Sequence, residues 1–327
     1  MVRRVTQADV AARAGVSRAL VSLVLRDAAN VSDHRRRVVL DAIAELGYRP
    51  DAAARHLGRR TRTIGVVVQD LHYPFFAEVV DGIQSGAAEH GLQVLINTGL
   101  RDPDVERAAI ETFLELRMDG VVLISPALPD ERLVEAAGVV PTVLVGRPPA
   151  GPGVDAVVTD ERLGGLLAVR HLLDLGHRRI LDVTADVPNA ASTGREAGYR
   201  QALEEAGLGD AARIVRTSDD VVAAAGSWPG GARATALFGH DDFVAVDAWA
   251  RLVEAGDPVP AVVGYDNTNF AGLPLLSLTS VDQPRLLMGR TAVEMLVERV
   301  AGRTDPRHEV LTPTLVERAS SRRAPAS

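Results

Sequence analysis

Apolar side chains recur every three or four positions along the first fifty residues, whereas from Ile64 onward compact apolar runs alternate with longer stretches of helical period. The first pattern predicts three short helices over residues 5–47. Thr6, with Asp9 three residues later, makes a capping-box sequence for a first helix that ends before Gly15. Ser17 caps a second after only "GVS", a turn short enough to set the two helices at a steep angle. Ser32 caps a third, "DHRRRVVLDAIAEL", which closes at Gly47. Such a trihelical unit is a helix-turn-helix candidate.

Within "VSRALVSLVLRD", Leu20, Val21 and Val24 share one arc of the second helix, and Arg18, Ala19, Ser22 and Arg26 share the opposite one. The first set builds a small core. The second is either a solvated face or a face that enters a major groove, where Arg pairs with guanine and small apolar groups meet a thymine methyl. The surrounding order of capped helix, three-residue turn, capped helix and a third helix in a basic segment favours DNA. In the following "YRPDAAARHLGRRTRT", Pro50 stops the preceding helix, Asp51 can cap a short one and Gly58 ends it. An eight-residue helix is marginal alone in water, so the segment reads either as a plain linker or as a helix that folds only on docking.

The second pattern opens with "TIGVVVQD", a buried-strand run, then a helix "PFFAEVVDGIQSGAAEHG" and a strand "LQVLINTG". Strands "DGVVLISP" and "VPTVLVGR" continue the series, and a second set follows with "RILDVTA", "RIVRT", "ATALFG" and "AVVGYD", the last helix "LLMGRTAVEMLVERVAG" and a closing strand "EVLTPTLVER". Such alternation demands parallel sheets with helical crossovers. The expected fold is an all-α head on an α/β body of two doubly wound lobes with a cleft at the carboxyl ends of the strands. Polar residues just past strand ends are candidates for that cleft: Asp70, Ser125, Arg147, Arg195, Asp241 and Asp266. Asp241, Asp242 and Asp266 have a simpler alternative as helix or turn caps, and Arg195 as a surface ion pair.

Net charge divides along the same boundary. Through Arg62 the chain has thirteen Arg against six carboxylates, a net +7, and the remainder carries −14. A basic head on an acidic body fits an anionic partner for the head alone. The chain has no Cys, which excludes disulfides, thiolate metal sites and cysteine nucleophiles, and it has no Lys for a P-loop. "GHDDF" places three potential metal ligands in adjacent positions where they cannot converge, so no metal is expected. No cofactor or catalytic motif appears, and the expectation is a non-enzyme. The start "MVRRVTQADVAARAG" lacks an apolar signal core and no run is long enough for a membrane span, which leads to the expectation of a cytoplasmic protein.

Taken in order, "VTQADVAARAGVS", "VSDHRRRVVLDAIAELGYRPDAAARHL", "TIGVVVQDLHYPFF", "DGVVLISP", "HLLDLGHRRI", "REAGYRQAL", "VVGYDN", "LTSVDQP" and "LVERAS" resemble the LacI family of transcriptional regulators over nearly the whole chain. The resemblance implies a DNA-binding head over 1–49, a hinge helix and linker over 50–62, a body over 63–320 and a disordered tail over 321–327. The body's first lobe would take about 63–158 and 283–311, and its second about 159–282 and 312–320. It also implies a homodimer on double-stranded operator DNA, with Leu57 wedged into the minor groove and Ala54 facing the groove one turn earlier. A small effector, commonly a sugar or related metabolite, would sit between the lobes. Arg195, Asp241 and Asp266 would hold its polar groups, and the segment with Tyr73 and Phe75 would supply an apolar wall. A two-lobed solute-binding protein shares the body, but not the basic head.

Several positions depart from the family. Leu20 and Leu23 replace the usual Thr and Arg, and Arg26 the usual Asn, so base reading falls on Arg18 and Ala19, with Leu23 meeting a thymine methyl. Asp241 stands where the family has Asn, adding a negative acceptor, and Gly146 stands where it often has Asp. The segment 217–234 is shorter than the family's helix there, carries Gly and Pro, and lacks the family's aromatic on that wall of the pocket.

Overall fold

The computed structural model describes residues 5–25, 28, 30–48, 61–258 and 260–322, and the chain forms two compact units, Met1–Thr61 and Arg62–Ser327. In the first, α1 (Gln7–Ala14), α2 (Arg18–Leu25) and α3 (Asp33–Leu46) enclose Val10, Val21, Val24, Val39, Ala42 and Tyr48. The capping box closes as its sequence predicts: Thr6 Oγ1 accepts from the Asp9 amide at 3.3 Å, and the Asp9 carboxylate accepts from the Thr6 amide at 2.8 Å. Ser17 Oγ accepts from the Leu20 amide at 3.2 Å. Gly15 and Gly47 both turn left-handed, with φ of 65° and 60°, where a Cβ would be strained. Ser32 departs from expectation: its backbone is extended as a cap requires, but its hydroxyl makes no capping bond and stays exposed. The acidic Asp33 in the first turn remains to favour the positive end of α3. Ala54 and Leu57, expected in a hinge helix, and Arg26, expected on the second helix, lie outside the described residues.

The body begins with β1 (Thr63–Val68), α4 (Pro74–Glu89), β2 (Gln93–Thr98), α5 (Pro103–Glu115), β3 (Gly120–Ile124), α6 (Asp130–Ala137), β4 (Thr142–Val145) and β5 (Asp155–Thr159). Next come α7 (Glu161–Asp174), β6 (Ile180–Thr184), α8 (Ala190–Glu205), β7 (Arg213–Arg216), α9 (Val221–Ala225) and β8 (Ala236–Gly239). It finishes with α10 (Asp242–Glu254), β9 (Ala261–Tyr265), β10 (Thr279–Asp282), α11 (Arg285–Val300), β11 (His308–Leu311) and β12 (Thr314–Val316).

Two six-stranded sheets result, ordered β11-β5-β4-β3-β1-β2 and β12-β10-β9-β8-β6-β7. Every strand pair is parallel except β10 with β12. The second sheet repeats the strand order of the first, and each order reverses at its initial strand, the place where ligands of open α/β sheets bind. The strands are apolar on both faces because both are covered. Val66, Val68, Val122 and Ile124 join a core with α4 and α11, and Val67, Val121 and Leu123 join a second core with Phe113 of α5 and Leu133 of α6.

Glycines set the spacing of the helix pairs. A Cβ on Gly165 of α7 would collide with the carbonyl of Arg195 on α8, and one on Gly198 of α8 with the carbonyl of Arg162 on α7. Gly82 and Gly289 do the same for α4 and α11. The close contact of α7 with α8 carries Arg195 to the edge of the cleft.

Three features differ from the sequence expectation. The run 155–159, preceded by "GPG" and opening on a charged residue, is a full strand. "EVLTPTLVER" is not one closing strand: Pro313 divides it, and β11 joins the first sheet while β12 joins the second. Ser321 is not part of a disordered tail, since Ser320 and Ser321 are buried and Ser321 Oγ lies 2.7 Å from Thr279 Oγ1 and 2.8 Å from His171 Nε2.

Asp155 fixes one end of the first lobe. Its fully buried carboxylate accepts from Arg299 at 2.8 and 3.0 Å, from Arg303 at 2.5 Å and from the Arg307 amide at 2.8 Å, tying β5 to α11 and to the chain entering β11. Burial raises its pKa, but those donors outweigh burial and hold it below the ordinary 3.8. Asp155→Ala strands two guanidinium groups and should cost about 3–5 kcal/mol in denaturant unfolding. A folded pKa below the unfolded one contributes stability present above roughly pH 4 and lost as pH falls through the folded value, so the gap between wild type and variant should close below that pH.

Candidate functional site

Both reversal points face the cleft between the lobes, and three chain crossings form its floor: β5 to α7, β10 to α11, and β11 to β12. The crossings are bonded to each other. The Asp160 amide donates to the Leu311 carbonyl at 3.0 Å, and Thr159 Oγ1 donates to Gln283 Oε1 at 2.8 Å. Gln283 then turns its amide nitrogen to Asp266 Oδ1 at 2.5 Å. Hinge and site thereby share one side chain.

Asp266 follows β9 and is only 3% exposed. Its backbone is left-handed, φ 91°, as is that of Asn267 at 45°, an uncommon conformation for non-glycine residues and one that clusters at functional sites. The other carboxylate oxygen accepts from Tyr73 Oη at 2.6 Å. Because Tyr73 precedes α4 in the first lobe, this bond crosses the cleft. Burial, then the charges of Asp266, Asp241 and Asp242, push the Tyr73 pKa well up and keep the hydroxyl a donor.

Arg195, 6% exposed on α8, lies 3.6 Å above the Tyr265 ring. Its Nε donates to Glu161 Oε2 at 2.8 Å and one Nη to the His240 carbonyl at 2.5 Å, while the other Nη stands 3.8 Å from Asp266. Burial opposes the cation, but Glu161, Tyr265 and Asp266 outweigh it and raise the pKa, so Arg195 stays charged. Asp241 caps α10, accepting from the Val244 amide at 2.8 Å. Burial first and Asp266 second push its pKa up to about 6. Behind it, fully buried Asp242 accepts from Thr268 N and Oγ1 at 2.7 Å and from Ser280 Oγ at 2.5 Å. Its pKa is pushed up to about 7, burial being the largest cause. His240 is held well below its usual range by burial and by the fields of Arg195 and Arg101, so its ring is neutral.

Tyr73, Arg195, Asp241 and Asp266 therefore converge. On the first-lobe side, Phe75 is buried edge-on to Phe76, with ring centroids 5.4 Å apart, and Ser125 ends β3 with a left-handed φ of 49°, its carbonyl accepting from Gln69. A Cβ on Gly146 would come within 2.8 Å of Ser125 Oγ, so no side chain intervenes there. Arg147 is placed elsewhere. Its guanidinium donates to the Pro126 and Leu128 carbonyls at 2.8 and 2.5 Å and to Asp130 at 2.6 Å, pinning the loop after β3 instead of facing the cleft. Asp70 folds onto His72, whose amide and ring lie 2.8 and 2.9 Å away. In the segment 217–234, Trp228 is buried in the second lobe's core.

Sequence reading missed Glu161, Tyr265 and Gln283. Glu161 opens α7, and its partner Arg195 is 34 residues away. Gln283 bonds Thr159 across 124 residues, which no local pattern signals. In the head, Ser17, Arg18 and Ala19 are exposed at the start of α2, Ser22 is half-buried, and Leu20 and Leu23 pack against the core. That turns part of Leu23 away from the exposed edge.

Known proteins share this arrangement. The model of bacterial regulatory proteins of the lacI family matches residues 6–51, and that of a periplasmic binding protein-like domain matches 169–321. The ribose operon repressor of Escherichia coli (strain K12) is 32% identical over 330 residues, covering 97% of this chain and 99% of that protein. The HTH-type transcriptional repressor PurR of Vibrio atlanticus (strain LGP32) is 33% identical over 328 residues, covering 95% and 97%. A lac repressor dimer bound to operator and the anti-inducer ONPF has a TM-score of 0.80 at 26% identity, covering 98% and 99% of the two chains. The complex of the transcriptional regulator CelR with cellobiose has a TM-score of 0.69 at 34% identity, covering 97% and 100%. With a capped helix-turn-helix head and a two-lobed body matched from end to end by such regulators, this chain belongs to the LacI family of bacterial transcriptional regulators, which are not enzymes.

Proposed function

We propose that the protein is a ligand-responsive repressor that binds operator DNA as a homodimer and answers to a small metabolite held between its lobes. The observation that carries the reading is the cross-lobe junction at Asp266, where Tyr73 of the first lobe, Arg195 of the second and Gln283 of the crossing from β10 to α11 meet one carboxylate. An effector that binds one arrangement of the lobes better than the other moves the equilibrium between them. Shifting it from about 1:99 to 99:1 takes roughly 5.5 kcal/mol of differential affinity. Likeness to a regulator complexed with cellobiose supports a polar, sugar-like class of ligand.

The exposed start of α2 supports DNA reading by the head, since the N-terminal residues of a second helix reach base edges in this motif. Pairing of two copies draws support from the second lobe, where Phe243, Val253, Leu273 and Leu275 stand exposed around α10 and the chain after β9. Edge strand β2 adds exposed Leu95 and Ile96 in the first lobe. Among the described residues no helix is long and apolar enough to cross a membrane, and a repressor of operator DNA works in the cytoplasm.

Three substitutions separate these roles. Arg18→Ala should cost about 1–3 kcal/mol at one operator position and relax base preference there, as read by binding to single-base operator variants; unchanged preference removes Arg18 from base reading. Arg195→Ala should abolish the effect of metabolites on DNA binding and leave DNA binding itself intact, and a normal response would move the site elsewhere. Tyr73→Phe removes the cross-lobe hydrogen bond. Because the chain has no Cys, a pair of introduced cysteines, one per lobe, can carry spin labels, and the measured distance distribution should widen in the variant.

A further inference from the structure

Two adjacent residues after β9 of the second lobe, Asp266 and Asn267, are held from the first lobe at separate atoms. Tyr73, at the start of α4, donates to the Asp266 carboxylate, and Arg285, at the start of α11, donates from Nη2 to the Asn267 carbonyl at 3.0 Å. The helices α4 and α11 touch through Gly82 and Gly289 and share one core with β1, the strand at which the chain coming from the head enters the body. A displacement at 266 and 267 is thus passed by packed helices to the element that carries the head's attachment.

Arg285 is rigidly held at both ends of this link. It is 7% exposed, its Nε donates to Glu78 Oε2 on α4 at 2.9 Å, and its amide donates to the Gln283 carbonyl at 2.8 Å. Asn267 is fixed in turn: its amide donates to Ser280 Oγ at 2.9 Å, its Nδ2 to Asp282 Oδ1 at 2.8 Å, and its Oδ1 accepts from Arg318 at 2.6 Å. Packing alone does not account for the guanidinium. Its Nη1 is buried and meets no acceptor among the described residues. An unmet buried donor costs free energy, and an apolar side chain of similar length would join α11 to α4 without that cost. What such a side chain could not supply is the bond to the other lobe.

We infer that Arg285 is a positioning residue for the ligand response, coupling the chain at Asp266 and Asn267 to α4 and α11 without itself holding the effector. This rests on the reading of the cleft as the effector site. The two cross-lobe bonds differ in what a ligand can do to them. Tyr73 bonds a side-chain carboxylate, for which the donors of a ligand compete. Arg285 bonds a backbone carbonyl one residue further on, which a ligand at the carboxylate leaves in place. When the first bond is exchanged, the second still ties the lobes and turns a local exchange into movement of the first-lobe helices.

The test uses the full chain, a genomic DNA fragment that it retains, and the deproteinised small-molecule pool of the cells that carry it. Affinity for the fragment is measured with and without the pool, and thermal unfolding is followed with and without the pool in the absence of DNA. In wild type the two affinities should differ by about 5–150-fold, the usual range of coupling between two sites. In Arg285→Met the ratio should fall to within about twofold of one, while the pool still raises the melting temperature as it does in wild type. Glu78→Gln keeps the shape of the side chain and removes the charge that orients the guanidinium, and should give an intermediate ratio. A role confined to holding the fold lowers the melting temperature of the variants and leaves the ratio at its wild-type value; that result overturns the inference with the effector site intact. Loss of the pool's stabilisation in Arg285→Met overturns it as well, since Arg285 would then hold the effector. Should Arg285→Met not fold, Glu78→Gln decides: a reduced ratio with stabilisation retained supports the coupling, and a wild-type ratio or lost stabilisation overturns it. A wild-type affinity indifferent to the pool overturns the effector reading and the inference with it.

Discussion

Asp266 is a carboxylate sealed between two lobes, and its need for donors organises the body. A buried carboxylate without partners costs far more than a domain can spare, so its surroundings must supply hydrogen bonds from several directions. Here they come from Tyr73 in the first lobe, Gln283 at the hinge and, at longer range, Arg195 in the second lobe. A ligand that offers its own donors competes for those bonds. Any such exchange is felt at the hinge, because the same Gln283 side chain accepts from Thr159 on a neighbouring crossing.

The two lobes divide the labour around that carboxylate. In each, glycines allow a pair of helices to touch through their backbones, and the strand order reverses beside the cleft. Asp155 with Arg299 and Arg303 fixes the first lobe away from the cleft, so the ion pairs that hold the fold and those at the junction are separate groups. The positive charge of the chain collects before Arg62 and the negative charge after it, which suits a head that meets phosphates and a body that does not.

Local physics made much of this legible in advance. The capping box at Thr6 and Asp9, the Ser17 cap and the left-handed glycines at 15 and 47 depend on neighbours three or four residues away, and all appear in the structure. Asp266 and Asp241 were visible because residues after parallel strands line such clefts. The same rule misplaced Arg147, because strand position gives no direction to a long side chain that finds carbonyls at 126 and 128. Glu161 and Gln283 escaped because their partners are distant in sequence. Strand 155–159 escaped because its short run opens on a charge whose two guanidinium partners, Arg299 on α11 and Arg303 just past its end, lie 144 and 148 residues later.

Whether one chain couples DNA to a metabolite is decided most directly by sequencing the genomic fragments retained by the full-length protein, with and without the small-molecule pool of the same cells. A ligand-responsive repressor enriches a small set of fragments that share two related half-sites in near-palindromic order, and the pool changes their recovery. Enrichment indifferent to the pool, or no sequence enriched above bulk DNA, would contradict it.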